Sequence, residues 1–164
     1  MAPQQTQQMP ASLQLFAGTI AGLVATIPMT IFMLIMHRVL PAWQRYALPP
    51  EEITKEMAER ADVRQYMDRQ QLLGASLASH FGYGATMGTL YATLTSRIAL
   101  PPVFKGILFG LVIWALGYLG WLPLAGFSEA ATEEPVRRNA LMIAAHIIWG
   151  SATGQLADVL RCWI

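Results

Sequence analysis

The hydrophobic positions of this chain fall into four long blocks with polar stretches between them. The first, about 13–36, contains no charged residue and carries Pro28 inside it. The others cover about 75–94, 103–124 and 140–160. Each is close to the roughly 20 apolar residues that cross a bilayer as a helix. The pattern predicts an all-α membrane protein with four transmembrane helices in one domain, residues 13–164. The polar tail before it, residues 1–12, is expected to be disordered. Its first eleven residues hold no Lys or Arg, so the first block is expected as a retained helix and not as a secretory leader. Proline inside a spanning helix is tolerated where neighbouring helices support a kink, so Pro28 is the expected site of any bend.

The longest polar segment, roughly Ala47 to Leu73, has a helical signature of its own. Pro49 and Pro50 stand at a plausible helix start and are followed by Glu51 and Glu52. Proline in a first turn and acids near a helix N-terminus both favour initiation. Glu51 with Lys55, and Glu56 with Arg60, are spaced as i,i+4 pairs. Ile53, Met57 and Ala61 repeat every four residues. The segment is expected to form one interfacial amphipathic helix, packed over the mouth of the bundle or presented to a partner.

Charge then orients the spans. The two polar loops hold Arg38, Arg45, Lys55, Arg60, Arg64, Arg69, Arg137 and Arg138, whereas the opposite side holds Arg97, Lys105 and Arg161. Basic residues accumulate on the cytoplasmic side, so both polar loops are predicted to be cytoplasmic in a multi-pass arrangement. Composition agrees with a membrane class. Charged residues make up 13% of the chain, against about a quarter in soluble domains. A net charge of +1 without a basic tract gives no nucleic-acid footprint. The single cysteine, Cys162, excludes an internal disulfide framework.

Two sequence fragments recur in the same order. HFGYGATMGTL from His80 and HIIWGSATGQL from His146 share His-x-x-aromatic-Gly-x-x-x-Gly-x-Leu. GTIAGLV from Gly18 and GILFGLV from Gly106 share Gly-x-x-x-Gly-Leu-Val. Small residues four apart let spanning helices approach closely. The repetition predicts that the four spans are built as two repeated helical hairpins, related by an axis along the membrane normal. His80 and His146 then sit at matching depth, roughly 7–10 Å inside their spans at about 1.5 Å per residue. Each shares a helix face with its glycines: Gly84 and Gly88 for His80, Gly150 and Gly154 for His146. An ionisable ring on such a face is expected to point into the bundle.

The stretches AGLVATIPMTIFMLIMH, LPPEEITKEMAERA, HFGYGATMGTLYA, GYLGWLPLAGF and RRNALMIAAHIIWGSATG together resemble the YagU-like group of bacterial inner-membrane proteins. The likeness covers most of the chain beyond the tail. It implies a small helical protein of the bacterial inner membrane and brings no reaction, ligand or functional residue with it.

Three function classes remain. The first is an accessory subunit or interaction partner in the membrane, whose partners are the lipid bilayer and other membrane proteins or a second copy. The second is a haem- or metal-binding protein. Here His80 and His146 supply axial imidazoles and the glycines Gly84, Gly88, Gly150 and Gly154 make room for a porphyrin. Met29, Met33 and Met36, with His37 at the same membrane face, are weaker soft-metal candidates. The third is transport of a proton or small solute by an oligomer, against which stands the lack of a deep intramembrane carboxylate. No nucleophile–base pair or phosphate loop is visible, so an enzyme is not expected.

Overall fold

The computed structural model describes residues 10–163, and among these every regular element is helical. Helix α1 runs Ala11–Val39, α2 Pro49–Arg60, α3 Arg69–Thr95, α4 Pro102–Leu116, α5 Leu122–Leu124 and α6 Val136–Trp163. Single 3₁₀ turns at Ala42–Gln44 and Arg64–Tyr66 join the first three. The expected tail falls largely outside the described residues, and α1 already begins at Ala11. Helix α1 passes through Pro28 without interruption. Its 29 residues correspond to about 43 Å of helix.

Three helical segments are long and apolar enough to cross a membrane: Ala11–Val39, Pro102–Leu124 and Val136–Trp163. Helix α3 matches them in length, with 27 residues, and carries no charge between Arg69 and Arg97. It is less apolar because serines and threonines replace aliphatic residues along it. Those hydroxyls are internally satisfied. Ser76, Thr86, Thr89, Thr93 and Thr95 each donate to the carbonyl four residues earlier, at 2.8–3.0 Å. Its start is fixed by Asp68, whose carboxylate accepts from the Gln71 amide at 2.8 Å while the Gln71 side chain accepts from the Asp68 amide at 2.9 Å. This reciprocal cap uses two donors that a helix start would otherwise leave bare.

The long helices stand in the order α3, α1, α6, α4, each packed on the next, and α3 and α4 touch only slightly. Glycine sets how close they come. A Cβ placed on Gly22 of α1 would overlap the Gly84 carbonyl oxygen and lie 2.7 Å from Gly88 Cα on α3. A Cβ on Gly106 of α4 would overlap the Gly150 carbonyl oxygen and lie 3.1 Å from the Gly154 amide on α6. Both antiparallel pairs are therefore in backbone contact, where close Cα–H···O=C approaches add to dispersion.

The two pairs do not share one register. Gly22 lies over Gly84 and Gly88, whereas its counterpart Gly110 lies over His146 and Gly150. The second pair is thus slid by one helical turn, about 6 Å, relative to the first. A strict equivalence of the two hairpins does not hold, because repeated glycine spacing offers several seats that differ by four residues. Between the pairs, α1 and α6 are joined by a core of Ala21, Ala25, Met29, Ala145 and Trp149. The Trp149 indole N–H donates to the Gly22 carbonyl at 3.2 Å. Phe109 sits between Tyr91 and Trp149, with ring centroids 5.4 and 6.2 Å away.

The third apolar block is not one regular helix. After Leu116 the backbone opens into a π turn over Gly117–Trp121, with Gly120 at φ −120°, ψ −108°. Pro123 has no amide hydrogen to give the Leu119 carbonyl, and the Leu122 amide reaches back five residues to the Gly117 carbonyl. That leaves the Tyr118 carbonyl free of its usual partner. The Ala131 amide, from the following loop, donates to it at 2.9 Å.

The glycine contacts generate the first prediction. Gly88→Ala and Gly150→Ala each force two backbones apart. Each is expected to lower stability in detergent unfolding by about 3 kcal/mol or more, at or above the upper range for overpacking. Gly74, whose added Cβ would meet nothing within 4 Å, is the control. Gly74→Ala is expected to be neutral or to stabilise by up to about 1 kcal/mol, the usual gain from replacing a mid-helix glycine. Equal effects at all three positions would show that the contact does not set the stability.

Candidate functional site

The gap left between α3 and α4 is lined as a cavity of about 210 Å³. Helix α1 contributes Thr26, Met29 and Met33, and α3 contributes Ser79, His80, Tyr83, Gly84 and Met87. Ile113, Gly117, Tyr118, Trp121 and Leu122 come from α4 and the turns after it. Met142, His146 and Trp149 of α6 form the far wall, while Pro50, Ile53 and Met57 of α2 close the loop side. No Asp, Glu, Lys or Arg is among these residues.

Both histidines singled out from the repeat meet at this one space. His146 is buried, and its Nδ1 lies 2.8 Å from the Met142 carbonyl oxygen. A carbonyl only accepts, so Nδ1 carries the hydrogen. In the neutral ring Nε2 therefore holds the lone pair. The edge of the ring packs against Tyr118, with centroids 5.9 Å apart and planes at 86°. His80 is half-buried on α3, next to Ser79, whose hydroxyl is 3.0 Å from that of Thr54 on α2.

The glycines expected to flank a cofactor do something else. Gly84 reaches the cavity wall, but a side chain on it would collide with Thr26. Gly88, Gly150 and Gly154 are closed by Gly18, Gly106 and the Pro102 carbonyl, and none of the three lines the cavity. They hold helices together and leave no open face for a porphyrin. The second metal suggestion also disperses. Met33 lines the cavity, Met36 packs on the core outside it, and the His37 Nε2 is engaged with the Tyr46 carbonyl at 2.9 Å. Among the described residues no three His, Cys, Asp or Glu side chains cluster as a metal site.

Two features of the site had no sequence signal strong enough to single them out. One is the π turn, which swings Tyr118 and Trp121 onto the cavity. Single π turns inside helices recur at functional sites. The sequence hint was a pair of glycines, Gly117 and Gly120, followed by Pro123. The other is Arg138, which reads as an ordinary loop cation but is 4% exposed. Its guanidinium lies 3.4 Å from the Tyr46 ring centroid. It donates to the carbonyls of Gln44, Tyr46 and Ala47 at 3.2–3.4 Å and to Glu134 at 3.2 Å. Glu52 of α2 is 3.7 Å away. The Tyr46 hydroxyl donates to the same Glu134 carboxylate.

These contacts fasten α2 across the cavity. Arg60 at its other end donates to the carbonyls of Ala125 and Gly126 at 2.7 and 2.9 Å and lies 4.4 Å from the Phe127 ring centroid. Gly126 has φ +70°, a left-handed conformation that suits glycine. The expected Glu56–Arg60 pair forms at 2.8 Å, whereas Lys55 turns to Glu59 at 3.7 Å instead of Glu51. Helix α2 lies over the bundle mouth as expected, but its packed face is Pro49, Thr54 and Ala58 and not the Ile53, Met57, Ala61 stripe: Ile53 and Met57 only edge the cavity, and Ala61 is exposed.

Long apolar helices around a cavity without charged lining residues define a helical protein of membrane type. The chain belongs to the family described as protein of unknown function (DUF1440), which it matches over residues 37–154. That match takes in α2, α3 and α4 with the cavity face of α6, and it starts at the loop end of α1. Comparison with curated proteins finds no match, and neither does comparison with solved structures.

The polar cluster carries a pH prediction. Burial pushes the Glu52 carboxyl above its usual range, against the pull of Arg138 in the other direction. With its folded pKa above the unfolded value, Glu52 contributes stability that is full below the ordinary carboxylate pKa of about 4.3. That contribution is lost as pH rises from there through the folded pKa. Glu52→Gln is expected to melt higher than the parent at pH 7, with the difference closing below about pH 4. A lower melting point for the variant at pH 7 would show that the ion pair with Arg138 outweighs burial.

Proposed function

We propose that this chain is a four-span membrane protein that holds a small uncharged molecule in the cavity between α3 and α4. The observation that carries the reading is the meeting of His80 and His146 on one cavity of about 210 Å³ with no charged lining residue. An apolar cavity of about 150 Å³ already accepts benzene, and cofactor-sized pockets begin near 300 Å³. The space therefore suits a single ring better than a porphyrin. An accessory-subunit role draws no support from the glycines Gly22, Gly84, Gly88, Gly106, Gly150 and Gly154, whose contacts are spent inside the chain. Transport has less support, since the cavity lining lacks a carboxylate for ion coupling.

Helix α3 completes the four spans by its length, its uncharged course and its internally bonded hydroxyls. The shared glycine spacing supports descent of the two hairpins from one repeat, with one of them slid by a turn. The YagU-like likeness and the bias of Lys and Arg support a bacterial inner-membrane setting with both polar loops in the cytoplasm.

An apolar benzene-type photoprobe tests the cavity. In protein reconstituted into nanodiscs, labelling is expected to concentrate on residues such as Met142 and Trp149. Met87→Trp, which places a bulky ring in the space, is expected to reduce it at least fivefold. Labelling spread evenly over outward residues such as Leu34 and Leu108, and unaffected by Met87→Trp, would end the ligand reading.

Topology is tested separately by cysteine labelling in a Cys162→Ser background. Lys55→Cys and Glu133→Cys are expected to react from the cytoplasm and Leu100→Cys from the opposite side. Labelling of Leu100→Cys from the same side as the other two would remove a span.

A further inference from the structure

We propose that the occupant is a neutral aromatic alcohol with an apolar tail, taken up sideways from the bilayer between α3 and α4. This rests on the ligand reading above and names the class of ligand. The ring end follows from the walls. Tyr83, Tyr118, Trp121 and Trp149 surround the space, and aromatic rings favour edge and offset contacts with another ring. At about 210 Å³ the cavity takes one substituted ring and no more.

The hydroxyl follows from His146. Its Nδ1–H is already given to the Met142 carbonyl. The acceptor nitrogen, Nε2, belongs to a ring on the cavity wall and is not among the fully enclosed atoms without a partner. An acceptor at an apolar cavity asks for a donor from the occupant, and an unmet one costs free energy. A ligand hydroxyl supplies that donor. A cation is disfavoured because no lining carboxylate would balance it, and an anion because no Lys or Arg would.

The tail follows from the open side. The long helices pack in the order α3, α1, α6, α4, so the seam between α3 and α4 is the one left unsealed. On it Tyr83 is 41% and Trp121 46% exposed. Both helices belong to apolar stretches that face hydrocarbon in a four-span bundle. The loop side is covered by α2, fastened through Glu52, Thr54 and Arg60. A ligand therefore enters more readily along the membrane plane than from water, and a tail is left lying in lipid.

The experiment uses full-length protein in nanodiscs and three probes: 4-nonylphenol, its O-methyl ether, and phenol. Binding is read as displacement of the benzene-type photoprobe from the cavity residues. 4-Nonylphenol is expected to compete about tenfold better than the ether, a ratio worth one hydrogen bond to a buried acceptor. Phenol is expected to be weaker again. His146→Phe is expected to erase the preference for the free hydroxyl, and His146→Gln, which restores an acceptor oxygen, to recover it in part. His146→Gln also serves if the Phe variant fails to fold. Equal competition by phenol and ether forms would overturn the hydroxyl assignment while the cavity reading stood. Equal competition by phenol and 4-nonylphenol would overturn entry from the bilayer. If the photoprobe itself never labels the cavity, the underlying ligand reading fails first.

Discussion

Two helices reach backbone contact only where neither presents a side chain to the other, and this bundle depends on that constraint twice. In lipid there is no hydrophobic force to draw apolar helices together, so close packing between bare backbones must do the holding. The seats at Gly22 against Gly84 and Gly88, and at Gly106 against Gly150 and Gly154, give two tight antiparallel pairs. Everything larger is displaced to the other faces. Methionine and aromatic side chains collect where the pairs diverge, and between α3 and α4 they line a space instead of closing it. The cavity is thus the counterpart of the glycine contacts: tightness on one side of each helix leaves volume on the other.

How each histidine came to face that space shows what sequence can carry. Hydrophobic length placed the long helices, because roughly 20 apolar residues in a row admit few other structures. The spacing of His80 from Gly84, and of His146 from Gly150, put both rings on packed faces, since side chains three and four apart share a helix face. What spacing cannot encode is which seat a glycine takes. A Gly-x-x-x-Gly stripe looks the same after a slide of one turn, so the offset between the two pairs was not legible. Nor could it tell a glycine that touches a neighbouring backbone from one that leaves room for a ligand.

Arg138 and the π turn escaped for different reasons. Burial of an arginine depends on carbonyls brought from residues some ninety positions away, at Gln44, Tyr46 and Ala47, and no local pattern announces them. The π turn follows from local chemistry, with Pro123 withholding a hydrogen and Gly120 tolerating an unusual backbone. Yet the freed Tyr118 carbonyl is stabilised by Ala131, again a tertiary matter. The start of α2, in contrast, was legible, because proline and acids act within its first turn. Its end at Arg60 was not, since the expected helix ran on through a segment that instead breaks before Arg64–Tyr66 and joins α3 at Arg69.

The Arg138 cluster also orders events in time. The carbonyls of Gln44, Tyr46 and Ala47 and the carboxylate of Glu52 leave the ribosome long before the guanidinium that gathers them. Until α6 is made, the carbonyls and ring around Tyr46 lack Arg138. A chain truncated before Val136 would also lack His146 and Trp149. The far wall of the chamber and the clasp on its cover therefore arrive together, with α6.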